Sequence, residues 1–205
     1  MSFLTFLVAA TVLAVTPGPG IAYVVARTVA GGRPEGLASC VGTAAGGLVH
    51  VLAAAFGLSV LLAKSATAFS LVKYLGAAYL VYMGVRMLMR DAGAVAVKAV
   101  AARGARRALI EGVAVEVLNV KTALFFLAFL PQFVSPAEPV APQLVLLGTV
   151  CVSLNTLVDV IAVFAADRVL GTERVRAARA RLLTRVSGGT MIGLGAFLAL
   201  ARREA

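Results

Sequence analysis

The stretch Thr16-Pro17-Gly18-Pro19-Gly20 constrains this chain more than any other, because it interrupts a long apolar run, Phe3 to Ala26, near its middle. The run carries no charged residue and is long enough to cross a bilayer as a helix. Pro17 and Pro19 lack the N–H groups that a regular helix needs, and lipid supplies no replacement hydrogen bonds. Irregular backbone at this depth is tolerated where it is buried in protein or lines a wet cavity. The sequence therefore predicts a broken first helix whose break faces a site.

The break also offers groups that can bind an anion. We expect Thr16 to cap a second half-helix and Pro17 to occupy its first position. The N–H groups of Gly18 and Gly20 would then lie at the positive end of that half-helix, which favours a carboxylate. We therefore interpret the whole stretch, Pro19 included, as substrate-lining. The alternative is a proline kink that only shapes packing.

Composition places the chain in a membrane. Its 205 residues are 61% hydrophobic and only 14% charged, with a mean hydropathy of +0.98. The net charge of +10 would suit nucleic acid, but the basic residues lie in short connections between apolar runs, as in cytoplasmic loops that face anionic lipid. The predicted partner is therefore the lipid bilayer and not nucleic acid. Reading the first run as a signal peptide is disfavoured because no Lys or Arg precedes it.

Six apolar segments set the predicted architecture: about 3–26, 37–63, 66–89, 109–134, 141–166 and 186–201. Fourteen Lys and Arg residues lie in or beside the first, third and fifth connections, against four on the other side. The positive-inside rule then makes those three connections cytoplasmic and puts both termini outside. The short sixth segment leaves five helices as the alternative. A basic amphipathic surface helix is predicted over 167–185.

The second half of the chain repeats the first in outline. Its first segment contains a second candidate break, Asn119-Val120-Lys121-Thr122, where Asn119 can cap a half-helix. Three helices in each half cross the membrane in opposite directions, as in the inverted repeats of many transporters. We predict an all-α integral membrane protein with one domain over 1–205: two inverted three-helix repeats, about 1–90 and 108–205, broken in helices 1 and 4 and joined by a basic cytoplasmic loop, about 91–107.

A few polar residues stand within these apolar segments, where a charge costs at least a few kcal/mol. Glu116 and Asp159 are candidates for a proton-coupling carboxylate or for binding a substrate ammonium, and Asn155 lies on the same helical face as Asp159. Lys121 could neutralise one carboxylate or hold a substrate carboxylate. The alternative is a static buried pair of Lys121 with Glu116 or Asp159. His50 is the only histidine, and it is a candidate proton relay or a packing residue.

The sequence lacks the motifs that would indicate an enzyme. It has no Cys/His metal-binding set, no complete nucleotide-binding loop, no Ser/His/Asp arrangement and no dinucleotide-binding fingerprint. We therefore predict no catalytic activity, no metal and no cofactor. Cys40 and Cys151 lie within apolar runs and are predicted to be packed thiols rather than a disulfide.

Three motifs occur in an order that resembles one known family. They are Thr16–Gly20, the stretch Tyr74–Gly84 with small residues at Gly76, Ala77 and Gly84, and Asn119-Val120-Lys121 followed by Phe125-Phe126 and Pro131-Gln132-Phe133. Together they resemble the LysE/RhtB family of amino-acid exporters over nearly the whole chain. The family usually has Asn-Pro-Lys where this chain has Asn119-Val120-Lys121, so Val120 takes the place of a proline. The second break is therefore expected to be milder here.

The resemblance implies a secondary transporter of the bacterial inner membrane that exports amino acids or related small metabolites, driven by proton influx. A zwitterionic substrate suits the residues, since its carboxylate can meet the Thr16–Gly20 break and its ammonium can meet Glu116 or Asp159. The alternatives are an uncoupled small-solute channel and a non-transporting subunit of a membrane complex. A homodimer is also possible, and the sequence does not identify the substrate.

Overall fold

The computed structural model describes residues 3–58, 66–89, 101–135, 137–169 and 173–200, and within these ranges the chain forms helices and no strands. Seven α-helices follow in order, with short turns between some of them: α1 (Phe3–Val15), α2 (Pro19–Ala53), α3 (Ala66–Met89), α4 (Ala105–Val117), α5 (Val120–Leu124), α6 (Val140–Val169) and α7 (Glu173–Leu200). A π-helical turn, Ala54–Leu58, extends α2. A second one, Phe125–Phe129, and a 3-10 turn, Leu130–Phe133, extend α5.

The first break, residues 16–18, separates α1 from α2 as predicted, but its cap differs. Gly18 is the N-cap of α2 and Pro19 is at its start, so the expected cap at Thr16 with Pro17 in the first position is wrong. The Thr16 hydroxyl instead donates to the Val12 carbonyl at 2.6 Å, which gives this carbonyl at the C-terminal end of α1 a hydrogen-bond partner. Pro19 suits the start of a helix because its ring holds φ near the helical value and its missing N–H would have no partner there.

Helix α2 folds back on itself at Gly32, where the backbone has φ 73° and ψ −172°. Only glycine adopts this region without strain. A Cβ on Gly36 would lie 2.2 Å from Oγ1 of Thr28, and one on Gly20 would lie 3.9 Å from Cγ2 of Thr43, so the two sides of the turn run antiparallel. The first arm of α2, residues 19–31, is about 20 Å long and the second arm, residues 33–53, is about 32 Å long.

The second break, residues 118–119, separates α4 from α5 and confirms the predicted cap. The Asn119 side chain accepts a hydrogen bond from the Lys121 N–H at 3.1 Å. The stretch Val120–Phe133 is inclined by 43° to α4. Asn119 therefore caps a clear break in which Val120, and not a proline, takes the first helical position.

Small residues let the helices approach closely. A Cβ on Gly42 in the second arm of α2 would lie 2.2 Å from the Leu109 carbonyl oxygen of α4. In α3, a Cβ on Gly84 would lie 2.5 Å from the Gly188 carbonyl oxygen of α7, and one on Gly76 would lie 2.8 Å from Cβ of Ala128. These close approaches at Gly76 and Gly84 join α3 to α7 and to the turn beyond the second break.

Two helical stretches, Pro19–Gly57 and Val140–Ala166, are long and apolar enough to cross a membrane, and the bent pair around the second break makes a third. Phe3–Val15 and Gly188–Leu200 are shorter apolar helices. Because Pro19–Gly57 folds back at Gly32, it does not form one straight span. The first predicted connection is therefore a tight helical turn, and not a loop between residues 26 and 37.

The structure describes only part of the third and fifth connections between the predicted segments. Residues 90–100, which hold most of the predicted basic loop, lie outside the described residues, and α4 begins at Ala105. Helix α7 runs from Glu173 to Leu200, so most of the predicted surface helix and the sixth segment form one continuous helix. Cys40 and Cys151 are free and buried, as predicted.

Candidate functional site

The two breaks meet at a cavity with about 470 Å³ of empty space, including the part open to solvent. Its walls come from both breaks, from the second arm of α2 and from α6. Eight of the predicted site residues line it: Thr16, Gly18, Gly20, Glu116, Asn119, Lys121, Asn155 and Asp159. Pro17, Pro19 and His50 are not among the lining residues.

Lys121 ties the second break to the first. Its Nζ donates to the carbonyl oxygens of Leu13, at 3.1 Å, and Thr16, at 2.8 Å. These carbonyls belong to the C-terminal end of α1, where the helix dipole favours a cation. Lys121 is in none of the ion pairs closer than 4.0 Å among the described residues, so its direct partners here are carbonyl oxygens and not carboxylates.

The Glu116 carboxylate, unlike Lys121, lies at the N-terminal ends of helices, where the helix dipole favours an anion. Its Oε1 accepts from the Thr122 hydroxyl at 2.6 Å and its Oε2 accepts from Asn119 Nδ2 at 3.0 Å. A Cβ on Gly20 would lie 2.8 Å from the same Oε2. The carboxylate therefore lies beside the N-terminal ends of α5 and of the first arm of α2. Glu116 is thus an anion of the protein itself beside Gly20, whereas the group beside Gly18 is the Lys121 ammonium.

Asp159 is the second carboxylate at the cavity. Its Oδ2 accepts from the Thr43 hydroxyl at 3.0 Å, and its side chain is buried. Asn155, one helical turn earlier on α6, lines the same cavity. Glu116 and Asp159 therefore face one cavity from different helices.

His50 supports the second break from outside the cavity. Its Nε2 lies 2.9 Å from the carbonyl oxygen of Glu116 and donates to it, since a carbonyl only accepts. The same oxygen accepts the Asn119 N–H at 2.9 Å. The imidazole also packs against Phe126, with 6.1 Å between ring centroids. These contacts hold the backbone from which the Glu116 side chain projects.

Several lining residues were missed by the sequence analysis. Thr43, Gly47, Thr122 and Thr156 all face the cavity. Thr43 and Gly47 are spaced four residues apart and precede His50 by seven and three, so all three share one face of the second arm. That spacing was a usable signal. Tyr79 and Tyr82 of α3 are not among the lining residues: their ring centroids lie 5.9 Å apart and both side chains are exposed.

A second polar cluster lies farther along α2. Arg27 is 2% exposed and forms a 3.4 Å ion pair with the buried Glu35. Arg27, one of the fourteen cations assigned above to the first, third and fifth connections, is therefore a buried residue of α2 and not part of a loop. The error arose because hydropathy cannot reveal that the turn at Gly32 packs both residues inside the protein.

A polar cavity where two discontinuous helices meet is typical of one class of protein, the membrane transport proteins. The family model described as LysE type translocator matches residues 11–202, and the chain belongs to this family. This finding confirms the resemblance seen in the motifs. A translocator is not an enzyme class.

Named relatives agree with this assignment. The chain is 29% identical over 202 residues to a homoserine/homoserine lactone efflux protein of Salmonella typhimurium strain LT2, covering 96% of this chain and 95% of the relative. It is 31% identical over 144 residues to a leucine efflux protein of Salmonella choleraesuis, covering 68% and 66%. An uncharacterized membrane protein of Vibrio cholerae serotype O1 is 30% identical over 157 residues, or 76% of each chain. No solved structure matches the chain significantly.

Proposed function

We propose that this chain is a secondary transporter that exports amino acids or related small metabolites across the bacterial inner membrane, coupled to proton influx. The observation that carries the proposal is the meeting of both breaks at a cavity that holds one cation, Lys121, and two carboxylates, Glu116 and Asp159. Efflux proteins among its relatives support the direction of transport and the amino-acid class of substrate.

Lys121 is the proposed partner of the substrate carboxylate. An ammonium group has three donors, and two of them point to the carbonyl oxygens of Leu13 and Thr16. One donor is left for a ligand at the cavity. A bound carboxylate there would also lie near Gly18, because a Cβ added to Gly18 would be 3.1 Å from Lys121 Nζ.

Asp159 is the proposed partner of the substrate ammonium and the proposed proton carrier. Its carboxylate has one hydrogen bond, from Thr43, whereas Glu116 has two from its own break. A carboxylate accepts about four hydrogen bonds, so Asp159 has more capacity for a ligand. Proton and substrate would then compete for Asp159, which is a simple basis for coupling. Asn155 would assist the ammonium, while Glu116 and His50 would hold the second break in shape.

The proposed architecture retains six membrane-spanning segments. Helix 1 comprises α1 and the first arm of α2, helix 2 is the second arm, and helix 3 is α3. The bent pair around the second break is helix 4, α6 is helix 5 and the apolar end of α7 is helix 6. We propose two inverted repeats within one domain, with the Gly32 turn and the basic loop on the cytoplasmic side and both termini outside. Homodimer formation stays a prediction that crosslinking in native membranes can test.

The test is efflux from proteoliposomes loaded with labelled homoserine, leucine, threonine or lysine, with and without a proton gradient and an uncoupler. The proposal requires uncoupler-sensitive efflux of at least one of them, and an Asp159→Asn variant that moves substrate only down its gradient. Glu138→Gln is the matched control, because Glu138 is exposed and its hydrogen bonds to the described residues use the backbone, so the substitution leaves them in place.

The same experiment separates the rival functions. Efflux that never exceeds the substrate gradient and ignores the uncoupler in the unmodified protein would identify a channel. Absence of efflux for every compound would favour a subunit of a larger complex. Normal coupled efflux by both Asp159→Asn and Glu116→Gln would contradict the proposed role of the carboxylates while leaving the transporter intact.

A further inference from the structure

The polar cluster at Arg27 and Glu35 lies between the cavity and the Gly32 end of the molecule. Glu35 is eight residues from Thr43, and Arg27 is seven residues from Gly20, so the cluster lies about 10–12 Å from the cavity along both arms of α2. A solute that enters or leaves the cavity through this end must pass it.

An apolar layer separates the cavity from this cluster. Val24 of the first arm, Cys40 of the second arm and Val163 of α6 pack together and are 0–2% exposed, with Val160 against them. The layer is formed by three different helical segments, so it closes the space among them. Charged or zwitterionic solutes cannot cross such a layer without large desolvation costs.

The polar layer beyond it ties α2 to the chain that enters α4. Glu35 Oε1 accepts the N–H groups of Arg103, at 2.8 Å, and Gly104, at 2.7 Å. Glu35 Oε2 accepts from Arg27 Nη1 at 3.4 Å, and the same Nη1 lies 3.4 Å from the Ala101 carbonyl oxygen. One carboxylate thus holds three donors from two parts of the chain that are far apart in sequence.

Two features indicate that this contact is built to open. Arg27 Nε is buried without a hydrogen-bond partner among the described residues, so the network is not fully satisfied and is weaker than its burial suggests. Residues 101–104 are not helical and precede α4, and Glu35 holds them through the N–H groups of Arg103 and Gly104. The first arm is also tied to α4 by the Tyr23 hydroxyl, which donates to the Ala108 carbonyl at 2.8 Å.

We propose that these two layers form the gate of the transport pathway on the side of the Gly32 turn, with Glu35 as its latch, and that the structure shows this gate closed. Opening breaks the bonds from Glu35 to Arg27, Arg103 and Gly104 and separates Val24, Cys40 and Val163. The assignment of this side to the cytoplasm rests on the proposed function, whereas the gate itself rests on the contacts.

The native Cys40 reports on the gate, because it lies in the apolar layer. In a Cys151→Ser background, inside-out membrane vesicles are treated with a membrane-impermeant maleimide, and the rate of Cys40 modification is measured. We expect slow modification of the parent protein and a rate about tenfold higher in Glu35→Gln, since the change weakens charge-assisted hydrogen bonds that close the gate. Glu138→Gln is the matched control and Cys40→Ser sets the background. An unchanged rate in Glu35→Gln would overturn the latch.

A second measurement covers the case in which Glu35→Gln fails to fold. Val24→Cys, in the same Cys151→Ser background, places a thiol against the native Cys40. Oxidative or mercury crosslinking of the pair should stop efflux, and a reductant should restore it. Crosslinked protein that still exports would refute the gate. Faster Cys40 modification in Glu35→Gln without efflux of any amino acid would instead support the gate and contradict the proposed function.

Discussion

Gly20→Ala is the substitution that most directly tests the site. The new Cβ would lie 2.8 Å from Glu116 Oε2, closer than real contacts allow, so the carboxylate must move. Glu116 is held by Thr122 at 2.6 Å and Asn119 at 3.0 Å, and the displaced oxygen is the one that Asn119 holds. The change therefore strains the contact by which the second break meets the first.

The magnitude follows from two opposing effects. Losing one hydrogen bond to a charged group costs about 1.5–3 kcal/mol. Replacing glycine by alanine in a helix stabilises by roughly 0.5–1 kcal/mol. The net loss is about 0.5–2.5 kcal/mol, which corresponds to roughly a twofold to seventyfold fall in the population of the intact site. We expect efflux to fall by a factor in this range.

Two further variants make the measurement decisive. Gly193→Ala is the matched control, because a Cβ at that position in α7 meets nothing within 4 Å among the described residues. Adding Glu116→Asp to Gly20→Ala shortens the acid and should restore part of the efflux by making room for the methyl group. If Gly20→Ala exports at the parent rate and melts at the parent temperature, the proposed contact between the breaks is wrong.

Three other predictions follow from single contacts. Thr43→Val removes the hydroxyl that donates to Asp159 and should shift the pH dependence of efflux with little change in melting temperature; an identical pH profile would exclude this contact from coupling. His50→Ala should lower efflux several-fold, because it removes a hydrogen bond worth about 1 kcal/mol. His50→Gln should recover part of the lost efflux, since its amide can donate to the same carbonyl. Equal loss of efflux in both variants would argue for a role of His50 in proton transfer. Gly84→Val should lower the melting temperature by several degrees, because even an added Cβ would lie 2.5 Å from the Gly188 carbonyl oxygen. Overpacking of this kind costs about 1–3 kcal/mol. An unchanged melting curve would contradict the tight α3–α7 contact.

The membrane class and the two breaks could be predicted from the sequence, because both depend on local rules. Apolar runs report membrane burial directly, and Pro17, Pro19 and Asn119 act on the backbone within a few residues of their own positions. The ionisable residues that line the cavity could be singled out for the same reason, since a charge in an apolar run is conspicuous. Eight of the predicted residues indeed line one cavity.

The partners of these residues could not be predicted, because they depend on contacts between distant segments. Lys121 reaches the end of α1 across more than a hundred residues of sequence, and Glu116 lies beside Gly20 from a different helix. The cap at Gly18 rather than Thr16 also depends on the way α1 ends. These contacts and this cap depend on how neighbouring helices are aligned against each other, and the helix propensity of single residues does not determine that alignment.

By itself, the sequence determined that this chain would be a helical membrane protein with two helix breaks and a small set of costly polar residues. Hydropathy and proline chemistry are properties of single segments, so no partner was needed to read them. Only the tertiary structure decided that the breaks meet, that Glu116 lies beside Gly20, and that Arg27 is buried against Glu35. The turn at Gly32 brings the last pair together, because a positive φ at one glycine reverses a helix that hydropathy cannot distinguish from a straight one.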